Sequence, residues 1–470
     1  MKRIQFHLEG GLSEKDLRHI HSQVLRVLDE IGVECASPRV LEILAAKEGI
    51  KIDGPRVRFA PHVVDAAIEC AREQGRNALP PPAEISVTGP WNCFNIEDMD
   101  TGRVRQSTAE DVRHMFKLLH VAKAGGVSPV YPTDIHAGLQ MLYLEKTGIE
   151  TSTTDGSRME FADRRMLEFA IEMYKAAGRK YTMVVEFPIS PLRMNPSGLE
   201  TILDYMDRSD VTLEPAPAPI PLAGCTAPLF EPGAIVQSVA ETLAACIILD
   251  MISNGALVGV PHFRVDLFDM RHMTTVFASP DHILHQLIVR DVARYFSGKP
   301  FVDHYWCCNA KRSGHQAMLE RTSWILTLAF AGFRRFWYGA GQLSMDEVFS
   351  PAQFVIDLEI ARYVNHLIRG IDYYDEPDLS FDTIASVGPR GDFLTHATTL
   401  EGMSKLFDSD LFPRNSVEQW RALGEPDPWR MAAEKAKAMI ASHNYAIEAG
   451  VQEELNRIYA QAQAYVTSQE

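Results

Sequence analysis

The sequence predicts an α/β protein organised as a (β/α)8 TIM barrel, with a helical and strand extension before the barrel and a helical tail after it. Three observations lead there. From about Ser107, short apolar runs rich in β-branched and aromatic residues alternate with helical segments, the signature of βα units around a parallel sheet. Eight such runs occur, and eight units over roughly 250 residues are what a closed barrel requires. The rival architecture, a doubly wound open sheet, would carry a glycine-rich phosphate turn, but no strand candidate is followed by G-x-G-x-x-G or G-x-x-x-x-G-K-[ST].

The extension, residues 1–106, opens with Ser13 as a helix N-cap and Asp16 three positions on, where each can satisfy orphan backbone donors. Leu17, Ile20, Val24, Val27, Leu28 and Ile31 follow at helical spacing. Pro80-Pro81-Pro82 is a stiff extended segment, and Glu84-Ile85-Ser86-Val87 after it reads as a strand leading into the main fold. The barrel, residues 107–400, takes its strands from Val127–Pro132, Ile149–Asp155, Tyr181–Pro188, Val211–Pro217, Leu257–Val265, Phe301–Asn309, Arg335–Gly339 and Thr383–Val387. The tail, residues 401–470, places Trp429, Ala432, Ala436, Met439 and Ile440 on one helical face, with a second helix through Glu453–Tyr465. Asp372–Asp382 is an acidic, solvated loop.

Composition narrows the function classes. With 46% hydrophobic and 23% charged residues the 470-residue chain is of ordinary globular make-up. A net charge of −16 argues against a nucleic-acid partner, because phosphate contacts need clustered Lys and Arg. The longest apolar stretch, Val239–Met251, is broken by Glu241 and Asp250, so no membrane partner is expected, and Met1–His7 lacks the apolar core of a secretory signal. Seven scattered cysteines without a C-x-x-C pair fit reduced thiols in the cytoplasm.

In a barrel of this kind chemistry belongs to the C-terminal ends of the strands. There the sequence places Glu186 with Phe187, His262-Phe263-Arg264, His304-Tyr305-Trp306, and Trp337 with Tyr338. Aromatic faces attract cations through the ring quadrupole, and a quaternary ammonium, which cannot donate a hydrogen bond, is recognised chiefly in this way. Any one of these aromatics taken singly is better read as a core residue; two or more lining one pocket indicate function. His304, Cys307 and Cys308 raise the question of zinc, but on a strand His304 and Cys308 share a face that Cys307 does not, so buried thiols are the better reading.

Four stretches in order give the chain a family resemblance. Leu12-Ser13-Glu14 through Asp29-Glu30-Ile31-Gly32-Val33 forms an opening helix, and Pro221-Leu222-Ala223-Gly224-Cys225-Thr226-Ala227-Pro228 precedes Ala240–Ala244. Asn309-Ala310-Lys311 leads to Gln316-Ala317 and Glu320, and Gly391–His396 reads G-x-F-L-x-H. Along nearly the whole chain this order resembles the trimethylamine methyltransferase family. The trimethylamine enzymes of that family carry a pyrrolysine, and the matching position here is Leu319, which cannot form an adduct with an amine. The chain is therefore similar to members without pyrrolysine, such as glycine betaine methyltransferases.

The resemblance implies methyl transfer from a quaternary amine to cobalt(I) of a cognate corrinoid protein. No cofactor would be tightly bound, the corrinoid being supplied by the partner, and a homo-oligomer is compatible with it. It implies a cage from Trp306, Trp337, Tyr338 and Phe187, with Trp91 and Phe94 contributing from the extension, and Glu186 as counter-ion. His262, Arg264, Lys311 and Arg312 are candidates for a betaine carboxylate. The alternatives are a zinc-dependent barrel methyltransferase and a non-catalytic binder of methylated amines.

Overall fold

The computed structural model describes residues 2–89, 93–125, 127–128, 130–153, 156–158, 161–230, 232–299, 302–373 and 380–469. Its centre can be traced as a ring. Val302–His304 pairs in parallel with Phe333–Phe336, which pairs in parallel on its other side with Ser86–Val87. Further along that last stretch Cys93 bridges in parallel to Val130. Ser128 N then donates to Gly156 O at 3.0 Å, and Val184 N to Arg158 O at 2.7 Å. Tyr181–Glu186 pairs residue for residue with Val211–Ala216. The sixth position is held by 257–265, extended chain without a ladder. A Cβ on Gly259 would sit 3.2 Å from Pro217 on one side, and Arg264 lies over the Tyr305 ring on the other. Eight parallel positions thus surround one lumen, as a (β/α)8 barrel requires.

Two expected strands are helix. Thr383–Val387 lies in the exposed helix Phe381–Val387, stopped by Gly388 in the left-handed region. Ile149–Thr151 ends the helix Ala137–Thr151, whose buried Leu142 and Ile149 recur at helical spacing; the third barrel position comes later, at Gly156–Arg158, and residues 154–155 lie outside the described residues. The first position is taken instead by Ser86–Val87. In both helices β-branched residues had suggested a strand.

The flanking helices form as their sequences direct. Ser13 and Asp16 make the reciprocal cap, with Asp16 N to Ser13 Oγ at 3.2 Å and Ser13 N to Asp16 Oδ2 at 3.0 Å. The helix Glu14–Arg26 buries Ile20 and Val24. Pro428–Ala441 buries Ala432, Ala433 and Ala436, whose small side chains allow close approach, and Ala449–Gln469 buries Leu455, Ile458 and Ala462. Among the described residues one helix, Gly233–Ile252, is long and apolar enough to cross a membrane, and protein covers most of it.

Candidate active site at the barrel mouth

Beneath the mouth lies a buried polar network. Arg264 ends the sixth position and donates from Nε to Asp266 Oδ2 at 2.7 Å, from Nη2 to the same oxygen at 2.6 Å and from Nη1 to Tyr338 OH at 3.3 Å. Its guanidinium lies 3.9 Å from the centroid of the Tyr305 ring. Asp266 is fully buried, also accepts from the Tyr305 hydroxyl, and stands 3.2 Å from His282 Nε2. Burial opposes the carboxylate, but Arg264 and its hydrogen bonds hold Asp266 well below the usual carboxylate range. Behind it, Gln286 donates to Val265 O at 2.7 Å, so its carbonyl oxygen must accept from His304 Nε2, also at 2.7 Å. Tyr305 N donates to His304 Nδ1 at 2.9 Å, which fixes the Nε2–H tautomer, and burial keeps that ring neutral.

Above this network several polar and aromatic side chains reach solvent while protein surrounds them. Glu186 closes the fourth strand with an accessible carboxylate. Burial raises it above the usual range, and Arg264 draws it part of the way back. Trp337 is 43% exposed, and its indole stacks on His262 with centroids 5.3 Å apart and planes 19° apart. Burial, Arg264 and Lys299 push the His262 imidazole down to about 4, so the stack is neutral at ordinary pH. Half-buried Tyr338 lies parallel to Tyr305, with ring centroids 6.1 Å apart. Asp346, on the hairpin joining Gln342–Leu343 to Val348–Phe349, is a second accessible acid raised by its surroundings, with Gln342 Nε2 donating to it at 3.0 Å. Glu186 is close enough to Tyr338 to act on its hydroxyl electrostatically, and acids with aromatic faces near them are groups that can hold a cation.

The other expected site residues are buried in the core, exposed on surrounding segments or outside the described residues. Phe187 is fully buried, because it follows Glu186 on an extended chain and so turns to the opposite face, against Gly198 of the helix Pro196–Tyr205. Trp306 is also fully buried. Its Nε1 donates to Arg321 O at 3.0 Å, and the Arg321 guanidinium covers its face at 4.4 Å. Phe94 is exposed and stacks on Tyr131 at 5.3 Å. Lys311 and Arg312 are exposed on the loop after the seventh strand. Trp91 lies outside the described residues. Leu319 is exposed on the helix His315–Phe330.

Tyr305 was among the strand-end aromatics the sequence offered, whereas Asp266, Arg321 and Asp346 were not singled out. The one available signal was an Arg-x-Asp pair at 264–266. Arg321 and Asp357, both fully buried, pair at 2.6 Å, and Arg321 donates to Gly339 O at 2.6 Å and Gln342 O at 2.8 Å, bracing the loop that carries Asp346. Gly339 at φ +132° passes against the Trp306 backbone, where a Cβ would collide.

The family-like stretches prove to hold loops. Glu320 Oε2 accepts from Asn309 N at 2.8 Å and Ala310 N at 3.1 Å, while Asn309 accepts from Phe277 N at 2.6 Å. Thr226 Oγ1 accepts from Leu222 N at 2.9 Å. Glu320→Ala strips the Asn309 and Ala310 amides of a charged acceptor and is expected to cost about 1.5–3 kcal/mol in denaturant unfolding. Cys307 and Cys308 are buried thiols raised above their ordinary value, and among the described residues no three His, Cys, Asp or Glu side chains converge as a metal site would need.

Comparison with known proteins adds the relationships. The family described as Trimethylamine methyltransferase (MTTB) matches residues 5–466. Trimethylamine methyltransferase MttB of Desulfitobacterium hafniense is 27% identical, over 92% of this chain and 90% of that protein. Glycine betaine methyltransferase of the same species is 25% identical, over 87% and 88%. Proline betaine:corrinoid methyltransferase of Eubacterium limosum is 23% identical, over 89% and 88%.

Proposed function

Because this chain belongs to the trimethylamine methyltransferase family, we propose that it takes a methyl group from a small quaternary amine and passes it to cobalt(I) of a separate corrinoid protein in the cytoplasm. The observation that carries the substrate class is the accessible Glu186 carboxylate at a mouth that also presents Trp337 and Tyr338. Aromatic faces and a counter-charge are what remain for recognising a cation with no N–H to donate. The partner's corrinoid supplies the electron pair that accepts the methyl group. This chain holds the C–N bond in line and excludes water, and the departing tertiary amine keeps the bonding pair, so no residue has to supply a proton. Phe187 and Trp306, both buried, are packing residues on this reading, and Phe94 is an exposed ring stacked on Tyr131.

Names among the relatives, glycine betaine and proline betaine, support a substrate that also carries a carboxylate. Arg264 is a poor receiver for it, since its charge is already paired with Asp266 and each of its nitrogens already has a partner in Asp266 or Tyr338. Neutral His262 is likewise unsuited. Lys311 and Arg312 suit the role, turning the substrate with its ammonium inward and its carboxylate toward the rim. The test is anaerobic methylation of reduced cognate corrinoid protein, followed spectroscopically across quaternary and tertiary methylamines. Conversion with a quaternary amine and none with trimethylamine is expected; ligand binding without transfer to the reduced partner would favour a sensor.

The raised Glu186 carboxyl gives the binding a pH signature. A bound cation favours the ionised form, so affinity is full above this raised value and falls as pH drops through it. His262, neutral down to about 4, contributes nothing in that window. Glu186→Gln is expected to weaken binding of the quaternary amine roughly tenfold, about 1.4 kcal/mol, and to flatten this pH dependence in calorimetric titration.

A further inference from the structure

Glu97 closes the strand Asn95–Glu97 of the extension, which pairs in parallel with Val348–Phe349, and it is 2% exposed. Burying a carboxylate is costly unless its oxygens are filled, and among the described residues Glu97 has no ion pair to fill them. Its partners are neutral donors from three other segments. Ser313 N donates to Oε1 at 3.1 Å and Ser313 Oγ to Oε2 at 2.5 Å. The hydroxyl of Ser350, the cap of the helix Pro351–Arg369, also donates to Oε2, and Trp429 Nε1 of the tail stands 3.5 Å from the same oxygen.

Ser313 belongs to the loop between the seventh strand and the helix His315–Phe330, at the mouth end of the barrel. Where that loop begins, Glu320 Oε2 accepts from the Asn309 and Ala310 amides, and Ala310 O accepts from Ser344 N at 2.7 Å. The backbone is thus held on either side of Lys311 and Arg312. Both of these side chains are exposed, and neither has a hydrogen bond or an ion pair among the described residues. Two adjacent cations without partners, on a loop tied at each end, can receive an anion with little further ordering of the chain.

We propose that Glu97 is a positioning residue for substrate recognition: from the extension it fixes this loop so that Lys311 and Arg312 stand ready for the carboxylate of a betaine-type substrate. This rests on the proposed function, in which those two cations take the carboxylate. Without the Glu97 bonds, residues 311–314 would have to be ordered each time substrate binds, and the loss would fall on ligands that use the loop. A quaternary amine lacking a carboxylate is held by Glu186, Trp337 and Tyr338 alone and does not register the change. Through one carboxylate the extension and the tail, both outside the barrel, act on what the mouth selects.

Calorimetric titration of the full-length chain with glycine betaine and with choline, in which a hydroxymethyl group replaces the carboxylate, tests this. The parent chain is expected to prefer glycine betaine at least about tenfold, and the double substitution Lys311→Met, Arg312→Met to abolish that preference. Glu97→Ala is expected to lower the preference roughly fivefold through glycine betaine alone, with choline affinity unchanged within about twofold. Glu97→Gln, whose amide oxygen still accepts from Ser313 N, should restore part of it. Ser313→Ala removes one tether and leaves Glu97 its other partners; an expected loss of about twofold keeps the test open even where Glu97→Ala fails to fold. A preference left intact by Glu97→Ala, or by Ser313→Ala where that variant has to stand in, overturns the positioning role, and so does a parallel fall in choline binding. The carboxylate reading then still stands on the Lys311 and Arg312 result. No preference in the parent chain, or one that survives the loss of both cations, overturns that reading and this proposal with it.

Discussion

Trp337→Ala is expected to reduce methyl transfer from a quaternary amine by roughly 10- to 100-fold while leaving thermal unfolding nearly unchanged. A desolvated cation–π contact contributes about 1–2 kcal/mol or more, and each 1.4 kcal/mol is tenfold. Trp337 is exposed to 43%, so its removal opens no core cavity; what is lost inside the protein is the stack on neutral His262. Steady-state kinetics with the reduced corrinoid partner, beside a melting curve, separates the two effects. Trp306→Ala makes the contrast: that ring is fully buried under Arg321, so the same assays should record a large loss of stability, about 3–5 kcal/mol. Full activity in Trp337→Ala would remove the cage from the proposed site.

Asp266→Asn is expected to destabilise the protein by about 3–5 kcal/mol, because it leaves the Arg264 charge buried without its partner. The melting temperature should fall by roughly 5–10 °C. Arg264→Met added to Asp266→Asn should recover part of that loss, since it removes the stranded charge; no recovery would mean that the Tyr305 and His282 contacts matter more than the ion pair. The pH dependence has a definite sign. Asp266 is held well below its unfolded value, so its contribution is complete above the usual carboxylate range and is lost as pH falls from that range toward its depressed folded value. Asp266→Asn should therefore lose this part of the acid sensitivity, measurable as a flatter stability curve below about pH 4.

Glu186 and Trp337 were expected at strand ends, and the structure leaves both of them exposed there. Phe187 and Trp306 were misread for a local reason. Alternation along extended chain sends a neighbour of a mouth residue into the helix layer, and a one-residue uncertainty in a strand's end reverses which residue faces where. The eight-fold repeat was legible too, although two of its members were not. Thr383–Val387 and Ile149–Thr151 have strand-like composition yet sit in helices, while Ser86–Val87 was read as a lead-in segment and completes the ring beside Phe333–Phe336.

By itself the sequence determined the class of fold, the caps and apolar faces of the helices at both ends, and the family. These are properties of contiguous segments, where spacing, capping chemistry and ordered motifs are written within a few residues of one another. Only the tertiary structure decided how the mouth is supported and charged. Asp266 meets Tyr305 across 39 positions, Arg321 meets Asp357 across 36, and Glu97 accepts from Ser313 across 216. Such pairings depend on how the ring closes. The rise of Glu186 and the fall of His262 likewise come from surroundings contributed by several strands, which no local stretch of sequence contains.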